Sequence, residues 1–192
     1  VDDMSLWKPS LDGSAIHLAV EGSCGGTSLG VQLARQAIEG GGRVLWAAPE
    51  FPDGIRFSQI FEGMELTASS RFHAMNLGGN LDQSLASLKN SAKILPGVNL
   101  VVLDDYCSDS GQLPSDIVKA VNKFIANSDW TTLLISKGGE SMDSSPLIAR
   151  GKNKLKTDVI WLLTRPQSDS KRVLWVDGES VVLRLVEEGF IH

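Results

Sequence analysis

Two hydroxyl residues, Thr27 and Ser28, follow three glycines, Gly22, Gly25 and Gly26, in the stretch VEGSCGGTSLGVQLA. Residues of these types at a strand-to-helix junction suit the wrapping of a phosphate. Glycines let successive backbone N–H groups turn inward on the phosphate oxygens, a hydroxyl holds magnesium, and a lysine neutralises the outer oxygens. That lysine is missing. No Lys or Arg occurs between Gly22 and Gln32, and the step from Gly22 to Thr27 is two residues shorter than in the pattern GxxxxGK[ST]. Three readings of the turn stay open: a tight connection in which Thr27 or Ser28 caps the helix, weak anion binding by the helix N-terminus, and ATP hydrolysis.

Two further groups carry candidate chemistry. The run NLVVLDDYCSDSG ends in Asp104 and Asp105, at the strand end that faces the ligand crevice in an α/β sheet. Asp104 there suits a magnesium ion held through water, and the pair also suits a plain loop cap. Glu50, after RVLWAAP, stands where a general base polarises water or where an ordinary loop glutamate lies. Farther on, Arg150, Lys152, Lys154 and Lys156 fall within seven residues and without an acid. Such a cluster binds nucleic-acid phosphates by releasing counterions, although a solvated loop has the same composition. No aromatic residue interleaves with it, so base stacking is not part of that chemistry.

The elements that position these residues are legible as apolar runs. Residues 15–20, 43–48, 72–77, 99–105, 131–136 and 158–163 read as strands, most of them too uniformly apolar to keep one face in water. Between them, 27–39 reads as a helix closed by glycines 40–42. Leu81, Leu85, Leu88 and Ala92 share one helical face, and so do Ile117, Val118, Val121, Phe124 and Ile125 after a start at Pro114 and Ser115. This alternation predicts an α/β fold with a largely parallel sheet and right-handed crossovers. Asp177 and Gly178 between two β-rich runs predict a C-terminal antiparallel hairpin.

Composition narrows the function classes. A chain of 192 residues buries a sizeable single core, and one domain over 1–192 is expected, with 1–11 as an N-terminal extension and the polar segment 137–156 as a long mobile loop. No apolar run approaches the roughly 18 residues of a membrane span, and the start has no basic region ahead of an apolar stretch. A soluble, cytoplasmic protein without membrane partners is expected. The two cysteines, Cys24 and Cys107, have neither zinc-site spacing nor disulfide density and read as structural thiols. A net charge of −5 excludes a uniformly basic coat and leaves room for a local patch. Trp46, Trp161 and Trp175 lie in strand-like runs and are expected in the core, whereas Trp7 is placed to dock on a neighbour.

The order of these pieces resembles the core domain of the RecA and RadA recombinase superfamily, including its RadB and KaiC-like members. IHLAVEGSCGGTSLGVQLARQAIEGGGRVLWAAPE is similar to that family's Walker A strand, loop and helix with the following strand, and NLVVLDD to its Walker B strand. TTLLIS resembles the strand that ends in a sensor residue, at Ser136 or Lys137, and RPQSDSKRVLWVDGESVVLRLVEEGFIH resembles the closing strands. The likeness runs from about residue 12 to the end.

The resemblance implies a RecA-like, mostly parallel sheet flanked by helices. It implies a nucleotide site at Gly22, Gly25, Gly26, Thr27 and Ser28, magnesium at Asp104 and a catalytic Glu50. Lys137 would bring in, from outside the loop, the charge that the loop lacks. Single-stranded DNA or RNA would be held by the 137–156 loop through Arg150, Lys152, Lys154 and Lys156, and the protein would assemble with itself or with a related RecA-like partner. Without the lysine, no cofactor is certain, and weak binding of ATP and magnesium is the expectation. The implied function is a RecA-like protein with impaired or absent ATPase activity, serving as a DNA-binding or recombinase-partner factor in recombination and repair. Two alternatives fit the same pieces: a scaffold similar to the accessory subunits of Elongator, which act in tRNA modification, and a weak ATPase with a non-standard phosphate loop.

Overall fold

The computed structural model describes residues 4–192, so the first three positions of the predicted extension lie outside the described residues. Strands β1 (Ala15–Val20), β2 (Arg43–Ala48), β3 (Phe72–Asn76), β4 (Val98–Asp104), β5 (Thr131–Lys137), β6 (Val159–Thr164), β7 (Lys171–Val176), β8 (Glu179–Val186) and β9 (Gly189–Ile191) alternate at first with helices. These are α1 (Gly26–Glu39), α2 (Gly54–Ile60), α3 (Leu66–Ser69), α4 (Leu81–Ile94) and α5 (Ser115–Ile125). The strands form one sheet in the order β3-β2-β4-β5-β1-β6-β7-β8-β9. Pairing is parallel from β3 to β6 and antiparallel from β6 to β9.

The uniformly apolar strands occupy the middle of this sheet because helices cover both of their faces. On one side Leu29, Leu33 and Ile38 of α1 pack with Leu18, Trp46, Leu133 and Ile135. On the other, Leu85 and Leu88 of α4 and Val121 and Phe124 of α5 pack with Leu103 and Leu134. Each such side chain withdrawn from water contributes about 2 kcal/mol. All six predicted strands are present, and the hairpin turns at Asp177 and Gly178 with φ of 52° and 83°, the paired positive values of a type I′ turn. The run predicted over 99–105 stops at Asp104, because Asp105 takes a left-handed φ of 53°.

The N-terminal extension is tied to its own domain. Leu6 bridges to Ile191, the Trp7 N–H donates to the Phe190 carbonyl at 2.9 Å, and the Trp7 ring meets Trp161 edge-on at 5.4 Å. The expectation that Trp7 docks on a neighbour is therefore corrected: an intramolecular contact occupies its ring. Trp46 and Trp161 are core residues as expected, whereas Trp175 is half-buried. Segment 137–156 is pinned at both ends, by a bridge between Gly139 and Ile148 and by the burial of Leu147, Ala149 and Leu155. Among the described residues no helix is long and apolar enough to cross a membrane.

Candidate functional site

The glycine turn leaves β1 at Val20 and enters α1 at Gly26, with Gly25 as the N-cap at a φ of 114° that L side chains rarely adopt. No side chain caps the helix. Thr27 and Ser28 are therefore not caps, and the structure gives their hydroxyls other partners. Thr27 Oγ1 donates to Asp104 Oδ2 at 2.7 Å, joining the turn to the end of β4. Ser28 Oγ accepts from Arg56 Nε at 3.1 Å. From beneath, buried Arg172 donates through Nε to the Cys24 carbonyl at 2.7 Å, and burial pushes the Cys24 thiol up to about 11, so it stays protonated and inert.

This turn forms one wall of a cavity of about 430 Å³, open to solvent, with Val31, Phe57 and Ile135 among its apolar lining. Glu50, Asp53, Asp104, Asp105 and Asp109 line it together with Arg56 and Lys137, so carboxylates outnumber cations. Asp104 is 8% exposed. Burial pushes its carboxyl up to about 6 against the opposing effect of the Thr27 hydrogen bond, and neighbouring Asp105 adds to the rise. A buried carboxylate of raised pKa that lines a cavity is a candidate functional position.

The sequence-predicted site residues gather here in part. Gly22, Gly25, Gly26, Thr27, Ser28, Glu50, Asp104 and Lys137 all line the cavity. Lys137 is the last residue of β5 and lies beside Val20 in register, so the sheet does bring it next to the glycine turn. Its ammonium is paired at 2.8 Å with Asp109 Oδ2. Sequence reasoning missed Arg56, which donates to Gln59 Oε1 and Glu187 O, both at 3.1 Å, and to Val186 O at 2.7 Å. It also missed Asp109. Asp53 ahead of Ile55 and Ile60 was the available signal for α2, since it caps the helix by accepting from the Arg56 N–H at 2.9 Å.

The basic cluster is not brought to this cavity and does not act as one unit. Arg150 is corrected: it is 8% exposed and donates to the carbonyls of Gly111 and Ser110 at 2.9 and 3.0 Å and also to that of Ser108. Its charge holds the loop after β4, because those carbonyls have no strand or helix partner to turn to, and it is not presented to a ligand. Lys152, Lys154 and Lys156 are exposed. Arg150→Met should lower stability by about 2 kcal/mol, the scale of a lost charge-assisted hydrogen-bond set. Urea titration checks this, with Lys152→Met expected to change nothing measurable.

The geometry separates magnesium from ATP, the two groups that the resemblance implies. Thr27 and Asp104 suit a hard cation held by a hydroxyl and, through water, by a carboxylate. The polyphosphate fares worse. In the phosphate-loop pattern the lysine directly precedes the hydroxyl, and Gly26 precedes Thr27 here. A Cβ on Gly26 would lie 2.5 Å from Val20 Cγ2 and 3.3 Å from Ile135 Cγ2, so β-branched side chains of the central sheet occupy the space. Arg56 and Lys137 are the cations lining the cavity, and both are engaged by protein acceptors. The residues present do not fit a triphosphate.

The chain matches no protein-family model and no curated protein sequence. Among solved structures it is similar to the RadB recombinase, with a TM-score of 0.73 and 16% identity over 94% of this chain and 90% of that one. It is also similar to a DnaB-like replicative helicase described with its primase interactions, with a TM-score of 0.68 and 13% identity over 94% of this chain and 57% of that one. Likeness at these identities establishes the fold, which is that of a RecA-like core: a mostly parallel sheet flanked by helices and finished by antiparallel strands.

Proposed function

We propose that this protein is a RecA-like accessory factor that has lost efficient ATP hydrolysis and acts in recombination and repair by holding nucleic acid or a related RecA-like partner. The observation that carries this reading is the contact geometry at Gly26, where Val20 Cγ2 fills the position a lysine Cβ would need. A triphosphate brings several negative charges. Without a free cation it would also face Glu50, Asp104, Asp105 and Asp109, and like charges at such distances oppose binding. The fold shared with a recombinase supports the recombination context, and the exposed Lys152, Lys154 and Lys156 support the contact with nucleic acid.

Calorimetric titration with ATP and with a non-hydrolysable analogue, with and without magnesium, tests the reading alongside phosphate release. Turnover indistinguishable from buffer is expected. Gly26→Lys should not restore it, and should instead lower stability by about 1–3 kcal/mol through overpacking against Val20. Tight ATP binding with steady hydrolysis by the parent protein would overturn the proposal. Loss of that activity in Lys137→Ala would then identify a non-standard phosphate site.

A further inference from the structure

The basic residues that the sequence grouped into one loop belong to a larger and better-fixed surface. Asn122, on the exposed side of α5, clamps the turn at 151–155: its Nδ2 donates to the Lys154 carbonyl at 2.9 Å and its Oδ1 accepts from the Lys156 N–H at 2.8 Å. Leu155 is buried beneath this clamp, and the Leu155 N–H closes the turn onto the Gly151 carbonyl at 2.9 Å. The turn is therefore held against the helix. Lys119, Asn122 and Lys123 lie three and four residues apart along α5 and so share one face, and both lysines are exposed. From α4, Lys89 reaches across to the carbonyls of Lys123 and Ala126 at 2.9 and 2.8 Å, and exposed Lys93 follows one turn later.

The surface also has a definite place in the fold. The Asp158 N–H donates to the Ala15 carbonyl, so the turn lies beside the start of β1, whereas the glycine turn follows its end at Val20. Six strand residues, about 20 Å, separate the two. The acids Glu50, Asp104, Asp105 and Asp109 line the cavity at the far end. At the near end, by contrast, Asp158 is engaged by the Ala15 N–H at 2.7 Å and Asp12 by the Ser14 N–H and hydroxyl, and Asp129 lies beside Gly13. Asp82, exposed and 3.9 Å from Lys123, is too loosely paired to neutralise it.

From this segregation of charge we infer that Lys119 and Lys123 of α5, with Lys152, Lys154 and Lys156 of the clamped turn, form a binding face for the phosphate backbone of a nucleic acid, at the end of the sheet opposite the cavity. The inference rests on the nucleic-acid part of the proposed function and moves its seat from a loop to a helix-and-turn face. DNA and RNA share the phosphate chemistry that this face recognises. The lysines present point charges without interleaved aromatics, so contact is electrostatic and indifferent to base sequence.

The test is fluorescence anisotropy with labelled oligothymidine and with oligouridine across a potassium chloride series, using the full chain. Lys119→Glu with Lys123→Glu, outside the loop, should weaken binding about tenfold, and the matching glutamine pair should lower the salt slope by about 1.4, roughly 0.7 for each lost contact. A thermal melt confirms that the glutamine pair stays folded. Equal binding in both arms indicates a site indifferent to the sugar, and a preference for either assigns that nucleic acid as the partner; both support the inference. If the parent binds while the α5 variants match it in affinity and slope, the inference fails and the functional proposal stands. A parent that binds neither oligonucleotide at low salt ends the inference and the nucleic-acid part of the proposed function, and leaves the partner-holding part standing. Displacement by polyglutamate at equal charge concentration would overturn the assignment to nucleic acid.

Discussion

Asp104→Asn is expected to stabilise the protein by about 3 kcal/mol at pH 8. Burial raises the Asp104 carboxyl from its ordinary 3.8 to about 6 in the folded chain. A group whose folded pKa lies above its unfolded value is ionised in both states at pH 8, and there the folded state bears the full penalty of the buried charge. A shift of about two units corresponds to about 3 kcal/mol. As pH falls through 6 toward 4 the folded state takes up the proton first, so the penalty is relieved and this group's contribution to stability rises. Asparagine keeps a carbonyl oxygen to accept from Thr27, 2.7 Å away in the parent, and carries no charge. Urea unfolding at pH 8 and at pH 4.5 measures the difference. A gain at pH 8 that falls to roughly a third, about 1 kcal/mol, at pH 4.5 is expected, and an equal effect at both values would show that burial of charge is not its cause.

The same residue marks the cavity as a candidate site. Thr27 at the start of α1 and Asp104 at the end of β4 meet at one wall of the cavity, and Glu50, after β2, lines it as well. Among the described residues the cavity has no free cation. Val20 excludes one at Gly26, Asp109 holds Lys137, and the backbone at Val186 and Glu187 holds Arg56.

The architecture was legible where a local pattern decides it. Strands buried on both faces are uniformly apolar, and Asp177 with Gly178 can adopt the positive φ values of a tight hairpin. The shortened glycine turn and its absent lysine were visible as spacing. Contacts distant in sequence were not. Arg56 sits in a seven-residue helix too short to show a period, and two of its acceptors lie 130 and 131 residues away. Arg150 reads as one of four cations in RGKNKLK. Its burial depends on the loop after β4, about 40 residues earlier, whose carbonyls need a donor. The sequence leaves Thr27 and Ser28 open between capping the helix, the commonest use of a hydroxyl at that place, and holding an anion or a nucleotide. The structure gives them to Asp104 and Arg56, which only the parallel sheet and α2 bring near.

His17→Leu is expected to remove a loss of stability that acid would otherwise cause. His17 lies in the middle of β1 between Leu134 and Ile160, fully buried, and neither ring nitrogen has a hydrogen-bond partner. Burial lowers its pKa from 6.5 to about 4. The unfolded chain therefore binds a proton below pH 6.5 that the folded chain refuses until about pH 4, and stability falls across that window by about 3 kcal/mol. Asp104 acts in the opposite sense over nearly the same range, gaining stability as pH drops from 6 to 4. The contributions of these two groups to the parent protein then nearly cancel. Each substitution should expose the other group: His17→Leu gives a protein that becomes more stable toward pH 4, and Asp104→Asn gives one that becomes less stable. Midpoints of urea unfolding at half-unit pH steps, taken as differences from the parent so that other titrating groups drop out, decide the matter. A His17→Leu difference curve that is flat between pH 6.5 and 4 would mean that the folded chain protonates this ring at its ordinary pKa and that its burial carries no such cost.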